Sequence, residues 1–211
     1  MELYKIIEIF VAFFIIVDPV GVIPIFIAIT SGASKRLKKI IAYRALVFSI
    51  FIVFLFALFG KYILEFLGID LNAFQVAGGI LLAILAYNML NAHETDIKTT
   101  KEEREEIREK LIEEQALWVV PLAIPTLAGP ATMSSIIIFI SNSQSVLEKV
   151  VVVLSVIISL IIAYYFMIFS DKILNRLGTS GINATTRILG IILLSISVKM
   201  IIIGVKNLWY K

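Results

Sequence analysis

The sequence predicts an all-α polytopic membrane protein with six transmembrane helices. These helices form two inverted three-helix repeats, in which helices 1 and 4 are broken. Three observations lead to this prediction. Of the 211 residues, 60% are apolar, and the chain matches itself at a nearly constant offset. All 5 prolines fall in two short clusters within apolar segments.

Hydropathy places the six spans at 5–30, 38–60, 72–91, 116–141, 147–170 and 184–208. Each span has the roughly 20 predominantly apolar residues that cross a hydrocarbon core of about 30 Å. The first span does not fit a cleavable signal peptide, because acidic residues flank its start and a pair of prolines interrupts it. The predicted surroundings of the chain are therefore a lipid bilayer.

The internal match divides the chain into a first repeat at 1–90, a charged linker at 91–115 and a second repeat at 116–211. A constant offset through three successive spans indicates duplication. Since each half has an odd number of spans, the second half must enter the membrane from the opposite side. The matched pairs are Pro19 with Pro125, Pro24 with Pro130, Ile63 with Ile173, Gly68 with Gly178, Gly79 with Gly190, Leu82 with Leu193, and Met89 with Met200.

The distribution of Lys and Arg predicts the orientation of the chain. These residues concentrate in the loop between spans 1 and 2, in the linker, and between spans 5 and 6. By the positive-inside rule those segments are cytoplasmic, and both termini lie outside the cell membrane. The net charge of +3 is therefore interpreted as a topology signal, and no nucleic-acid partner is expected. The linker is predicted to be a short solvated helix.

The two proline clusters predict breaks in the first and fourth spans. A proline inside a helix removes a backbone hydrogen bond. In a membrane such a break is tolerated where the freed backbone is buried in protein or lines a wet cavity. Paired broken segments in the two halves point to the binding site of a transporter. The predicted substrate-binding residues are Asp18, Pro19, Gly21, Pro24, Pro125, Thr126, Gly129, Pro130 and Thr132.

Asp18 lies near the middle of the first span, where a charge costs about 2.5–3.5 kcal/mol on insertion scales. Three roles compete: it holds a substrate ammonium group, it carries a coupling H⁺ or Na⁺, or it forms a structural ion pair. The available cations for such a pair are Arg44, Arg187 and Lys199. A fourth role is that of an N-cap with Pro19 at the first helical position.

The small and hydroxyl residues near the breaks have two interpretations each. Gly21 and Gly129 allow close backbone approach and an unusual φ, or they mark a tight helix crossing. Thr126 and Thr132 contact the solute, or they bond back to the preceding turn. Gln75 lines a path, or it packs within the bundle.

Together these features predict a site for a small zwitterion. Free N–H groups at the start of a half-helix would bind a carboxylate. Asp18 or nearby carbonyl groups would bind an ammonium group, so a small neutral amino acid is the expected substrate. The chain has no cysteine and a single histidine, His93, which argues against a metal site and against an enzyme.

The runs DPVGVIPIF at 18–26 and PLAIPTLAGPATMSSI at 121–136 resemble the MarC family of integral membrane proteins. That family includes the SnatA-type transporters of small neutral amino acids such as glycine and alanine. The resemblance implies a six-helix inner-membrane protein and secondary transport driven by an ion gradient, without a cofactor other than a coupling H⁺ or Na⁺. The alternatives are an exporter of drugs or other small metabolites and a non-transporting membrane scaffold.

Overall fold

The computed structural model describes residues 3–30, 33–91 and 127–209. These residues form helices and turns, with no strand among them. The helices are α1 (Leu3–Val17), α2 (Val22–Ile29), α3 (Lys35–Phe66), α4 (Leu71–Asn91), α5 (Pro130–Ser141), α6 (Val146–Ile168) and α7 (Ser170–Trp209).

Five segments of the described chain are long and apolar enough to cross a membrane, and α5 is a shorter apolar helix. α1 and α2 together make the first of these segments, Leu3–Ile29. The prediction of an all-helical chain with several spans is therefore confirmed for the described residues. The predicted linker, apart from Asn91, and the first part of the predicted fourth span lie outside them.

Two predicted spans are shorter than the helices that contain them. α3 extends beyond the predicted span at 38–60, and α7 begins before the predicted span at 184–208. Hydropathy finds the apolar stretch of a helix, whereas the helix itself continues into polar turns at the membrane surface. The predicted bounds of the third and fifth spans agree with α4 and α6 to within two residues.

The helix ends lie at two opposite faces of the bundle. At one face Lys5 of α1 pairs with Glu148 of α6 at 2.7 Å. We call it the termini face, because α1 begins there and α7 ends there. At the other face Lys38 of α3 pairs with Asp171 of α7 at 3.0 Å. We call it the linker face, because α4 ends there just before the linker.

Corresponding helices of the two halves run in opposite directions. α3 begins at the linker face, whereas α6 begins at the termini face. The Asn207 amide near the end of α7 donates to the Asn72 side-chain oxygen near the start of α4 at 3.4 Å. α4 therefore runs away from the termini face and α7 runs toward it.

The buried side of α3 matches the buried side of α6, and the two helices pack against each other. Most of the matched residues are small, which lets helix backbones approach closely in a membrane protein. The offset between them is the same one that relates Ile63 to Ile173 in the sequence. The buried pairs are Ala42 with Val152, Ala45 with Ser155, Ser49 with Ser159, and Val53 with Ala163.

α4 and α7 form the most extensive helix pair of the described chain, and their contact is reciprocal. A β-carbon on Gly79 of α4 would lie 3.0 Å from the Ser197 carbonyl oxygen of α7. A β-carbon on Gly190 of α7 would lie 3.2 Å from the Ala86 carbonyl oxygen of α4. Gly79 matches Gly190 and Ala86 matches Ser197 at the same offset, so each half makes the same contact with the other.

Two matched glycines have a left-handed backbone conformation. Gly68 follows α3 with φ of 67°, and Gly178 interrupts α7 with φ of 66°. After α3 the Gly68 N–H donates to the Glu65 carbonyl at 3.1 Å, and the Ile69 N–H donates to the Leu64 carbonyl at 2.9 Å. This pair of hydrogen bonds is the Schellman ending of a helix, in which glycine is the residue that adopts positive φ most readily.

Matched serines also cap the second helix of each half. The Ser34 hydroxyl accepts from the Leu37 N–H at 3.2 Å at the start of α3. The Ser145 hydroxyl accepts from the Glu148 N–H at 3.2 Å at the start of α6. Such N-caps satisfy amide groups that a helix start leaves free.

The outer surface of the bundle carries many large apolar side chains, and Phe66 at the end of α3 is 90% exposed. An apolar surface of this extent in water would drive association, whereas in a bilayer it faces lipid tails. The interior holds a contiguous cluster that includes Phe13, Phe26, Ile41 and Leu160. The fold is thus that of an integral membrane protein.

Candidate solute site at the helix breaks

The predicted break in the first span is present. α1 ends at Val17, a turn occupies 18–21, and α2 begins at Val22. The Asp18 N–H still donates to the Phe14 carbonyl at 3.1 Å, so α1 is intact up to the break. Asp18 itself has φ of 48°, the left-handed region that few residues other than glycine adopt. This conformation turns the chain between the two half-helices.

The Asp18 carboxylate caps the turn that follows it. Its Oδ1 accepts from the Gly21 N–H at 3.0 Å, and the Val22 N–H donates to the Asp18 carbonyl at 3.2 Å. The N-cap residue of α2 is Gly21 and not Asp18, so the N-cap role considered from the sequence is not found; the Asp18 carboxylate instead bonds the amide of that N-cap residue. An acceptor here takes up one of the amide groups that the start of a helix leaves free.

The expectation that the glycines at the breaks supply an unusual φ is wrong. Gly21 has φ of −66° and ψ of −21°, which any residue adopts, and Gly129 is extended with φ of −77°. The strained conformation falls on Asp18, because its side chain bonds to the turn and compensates for the cost. The other expectation for Gly21, close approach, is confirmed, since a β-carbon there would overlap the Asp18 carboxylate.

No ion pair joins Asp18 to a cation within residues 3–30, 33–91 and 127–209. Lys199, one of the three candidate partners, pairs instead with Glu8 at 3.1 Å. The structural ion pair is therefore not found in this part of the chain. Asp18 is partly exposed as a residue, and its side chain makes the one hydrogen bond to the Gly21 N–H among the described residues.

The start of α5 is the described part of the second break. Gly129 is the N-cap residue, Pro130 occupies the first turn, and no side chain of the described residues caps this end. Thr132 is buried, and its hydroxyl makes a long hydrogen bond of 3.4 Å to the Leu127 carbonyl. The first amide groups of this helix therefore keep the partial positive charge of an uncapped helix start.

The nine predicted site residues have different positions in the structure. Pro19, Gly129 and Thr132 are buried, and Asp18 and Gly21 are partly exposed. Pro24 and Pro130 are exposed, each in the first turn of its half-helix. The remaining two, Pro125 and Thr126, lie outside the described residues.

The two half-helices that lead to the breaks have similar lengths. α1 runs inward from that face for 15 residues, and α5 runs back to it over 12 residues. At a rise of about 1.5 Å per residue these lengths correspond to roughly 22 Å and 18 Å. α1 also contacts α5, where the rings of Phe13 and Phe139 have centroids 5.1 Å apart.

Sequence reasoning left the role of Gln75 undecided, and the structure shows it 4% exposed in the second turn of α4. Sequence reasoning did not predict the N-caps at Ser34 and Ser145. A serine immediately before an apolar helical segment is nevertheless a usual sign of an N-cap. No group of three or more His, Cys, Asp or Glu residues suited to a metal ion occurs in the described part of the chain.

Comparison with known proteins decides the family. The model of the MarC family, described as MarC family integral membrane protein, matches residues 3–209. The chain belongs to the MarC family. The resemblance found in the two proline motifs is thus confirmed, and the match covers both halves of the bundle.

Several curated relatives of this MarC-family chain share nearly its full length. A UPF0056 membrane protein of Methanocaldococcus jannaschii is 41% identical over 95% of this chain and 86% of its own. A second from that organism is 35% identical over 98% of both chains. The UPF0056 membrane protein YvbG of Bacillus subtilis is 32% identical over 97% of this chain and 95% of its own. No solved structure matches the chain.

The chemistry available at the breaks of this MarC-family protein is that of recognition. One break presents a carboxylate that can accept hydrogen bonds from a cation or an ammonium group. The other presents the uncapped start of a helix, which suits an anion. The two breaks thus offer groups of opposite charge.

Proposed function

We propose that this MarC-family protein is a secondary active transporter of small neutral amino acids, of the glycine and alanine type. The observation that carries the proposal is the break at 18–21, which leaves a carboxylate within a membrane-spanning segment. Intramembrane acids are costly and are found mainly where a substrate, ion or proton is handled. Asp18 satisfies only one amide through its side chain, so it retains acceptor capacity for a solute.

The proposed architecture is a pair of inverted three-helix repeats, 1–90 and 116–211, joined by the cytoplasmic linker at 91–115. The opposite directions of α3 and α6, and of α4 and α7, support it. So do the reciprocal glycine contacts of Gly79 and Gly190 and the matched left-handed glycines. In transporters built from such repeats, one repeat moves against the other around a site near the middle of the membrane.

In the proposed site Asp18 receives the ammonium group of the amino acid, and the start of α5 receives the carboxylate. Gly21 and Pro19 hold the Asp18 turn, and Gly129 and Thr132 shape the start of α5. Pro24, Pro125, Thr126 and Pro130 belong to the same two broken segments. A gradient of H⁺ or Na⁺ supplies the driving force, and no covalent chemistry takes place.

The proposed orientation puts the termini face outside the cell membrane and the linker face in the cytoplasm. The linker face carries Lys38, in a segment rich in Lys and Arg. Positively charged segments next to a span remain on the cytoplasmic side. Cysteines introduced at each face of the cysteine-free chain, and labelled in intact cells, would test this orientation.

The decisive experiment is counterflow of labelled alanine in proteoliposomes that contain Asp18→Asn. The amide cannot neutralise an ammonium group, so transport should fall about tenfold or more, since hydrogen bonds to charged groups contribute about 1.5–3 kcal/mol. Glu8→Gln is the matched control, because Glu8 lies on α1, the helix that leads to Asp18, is exposed and pairs with Lys199. The control should transport normally. Unchanged counterflow by folded Asp18→Asn would remove Asp18 from the site.

A further inference from the structure

A second polar feature lies away from the breaks, on α4 one turn before Gly78, whose backbone lies against α5. Gln75 is 4% exposed, and no hydrogen bond joins its amide to any other residue in the described ranges. In a residue this deeply buried, an amide without a protein partner keeps its hydrogen bonds only where water reaches it. The position of Gln75 therefore needs an explanation other than packing.

A buried polar atom without a partner lies at the end of α5. Among the described side chains, the hydroxyl oxygen of Ser141 is the buried one that makes no hydrogen bond. Other hydroxyl groups on this helix bond back to the preceding turn, as Ser135 does to the Ala131 carbonyl at 2.8 Å. Ser141 lacks even this local partner.

The register of α4 and α5 brings these two groups to the same level. A β-carbon on Gly78 would lie 2.9 Å from Cδ1 of Ile138 and 3.2 Å from Oγ of Ser134. Gln75 precedes Gly78 by one helical turn, and Ser141 follows Ile138 by one turn. α4 begins at the termini face and α5 ends there. Gln75 and Ser141 therefore both lie about one turn closer to the termini face than the contact at Gly78.

We propose that the crevice between α4 and α5, lined by Gln75 and Ser141, is the wet opening of the solute path at the termini face. The inference rests on the proposed transport function for the identity of the solute. The amide and the hydroxyl each donate and accept hydrogen bonds, and neither carries a charge. These two groups suit water and a small, neutral, hydrogen-bonding solute. One turn deeper, the close contact at Gly78 leaves little space between α4 and α5.

The absence of cysteine in the chain permits a direct test, since one introduced cysteine is the only thiol. Gln75→Cys and Ser141→Cys should react with a small, charged, membrane-impermeant methanethiosulfonate reagent in proteoliposomes. Ser159→Cys is the matched control, because Ser159 is 0% exposed and its hydroxyl is bonded to the Ser155 carbonyl. The two crevice cysteines should react at least about tenfold faster than the control, since a thiol reacts where water and reagent reach it.

Alanine added at saturating concentration should then slow the reaction of both crevice cysteines severalfold. Size-exclusion profiles identify folded variants, and Ser141→Cys is a near-isosteric change that remains informative if Gln75→Cys misfolds. Two cysteines as unreactive as the control would overturn the proposal. Reactivity that alanine leaves unchanged, in a chain that carries alanine, would also overturn it.

The test separates this inference from the proposed function. If the wild-type chain carries no alanine, the transport proposal fails on its own. Reactive cysteines at both positions would still support a wet crevice between α4 and α5, and unreactive ones would overturn it.

Discussion

The break in the first half and the start of α5 in the second half share a backbone plan but differ in side-chain chemistry. Each combines a glycine with prolines in an apolar segment. In the first half the Asp18 carboxylate takes up a free amide, whereas no side chain in the described ranges caps α5. One break is thus acidic and the other keeps the positive end of a helix. A zwitterion has the same asymmetry.

The packing between α4 and α7 is symmetric, whereas the two breaks differ from each other. Gly79 meets the Ser197 carbonyl as Gly190 meets the Ala86 carbonyl. The matched glycine contacts between α4 and α7 are therefore equivalent, whereas the residues at the two breaks differ. The matched positions thus lie in the packing between α4 and α7, and the positions that differ lie at the breaks, where the proposed solute site is.

Gly21→Ala is expected to have the largest effect, because it acts on the asymmetric break. Its β-carbon would overlap the Asp18 carboxylate, which must then leave the Gly21 N–H that it now bonds at 3.0 Å. Loss of a hydrogen bond to a charged group should lower the free energy of unfolding by about 1.5–3 kcal/mol. Unfolding in detergent measures that change, and alanine counterflow should fall along with it.

The Asp18→Ala background controls for other causes of the Gly21→Ala effect. With the carboxylate removed, the added methyl group no longer meets it, so Gly21→Ala should cost clearly less. Residues in contact give such non-additive changes in stability, and residues far apart do not. Equal costs in both backgrounds would contradict the contact described at this break.

Gly79→Ala and Gly190→Ala test the symmetric interface and should have intermediate, similar effects. Their β-carbons would lie 2.7 Å from Ile201 and 3.0 Å from Met89, with facing carbonyl groups at 3.0 Å and 3.2 Å. Overpacking of this kind costs about 1–3 kcal/mol. Thermal unfolding of both variants in one detergent measures the two costs side by side.

Gly181→Ala is the matched control on α7. Its β-carbon would meet only the side chain of Leu177, from the preceding turn, at 3.2 Å within the described residues. The change should be near neutral or stabilise by up to about 1 kcal/mol through helix propensity. Two interface glycines with very different costs would indicate that the contact between α4 and α7 is not reciprocal in solution.

Much of the fold could be predicted from the sequence, because its signals are local or periodic. The proline clusters located the break at Asp18 and Pro19, and the internal match paired Gly68 with Gly178 before their shared conformation was known. Hydropathy found the apolar stretches that became helices. These signals need only the order of residues along the chain.

The site could be predicted less completely, because its details depend on distances between residues far apart in the sequence. No local pattern assigns the positive φ to Asp18 rather than to Gly21, since the hydrogen bond at the turn decides it. The level shared by Gln75 and Ser141 depends on how α4 and α5 pack. A glutamine in an apolar helix indicates a candidate functional position, but the sequence does not show which residue of another helix lies next to it.

Gly68→Ala and Gly178→Ala should have the smallest effects of the three tests, and these should again be similar in the two halves. Nothing lies within 4 Å of a β-carbon at either position, so the cost comes from the backbone alone. An alanine with φ near 67° or 66° is disfavoured by about 1–2 kcal/mol. Asparagine visits this conformation more readily, so Gly→Asn at both positions should cost less than Gly→Ala in thermal unfolding. If asparagine proves as costly as alanine, the space around these turns, rather than φ, limits the side chain.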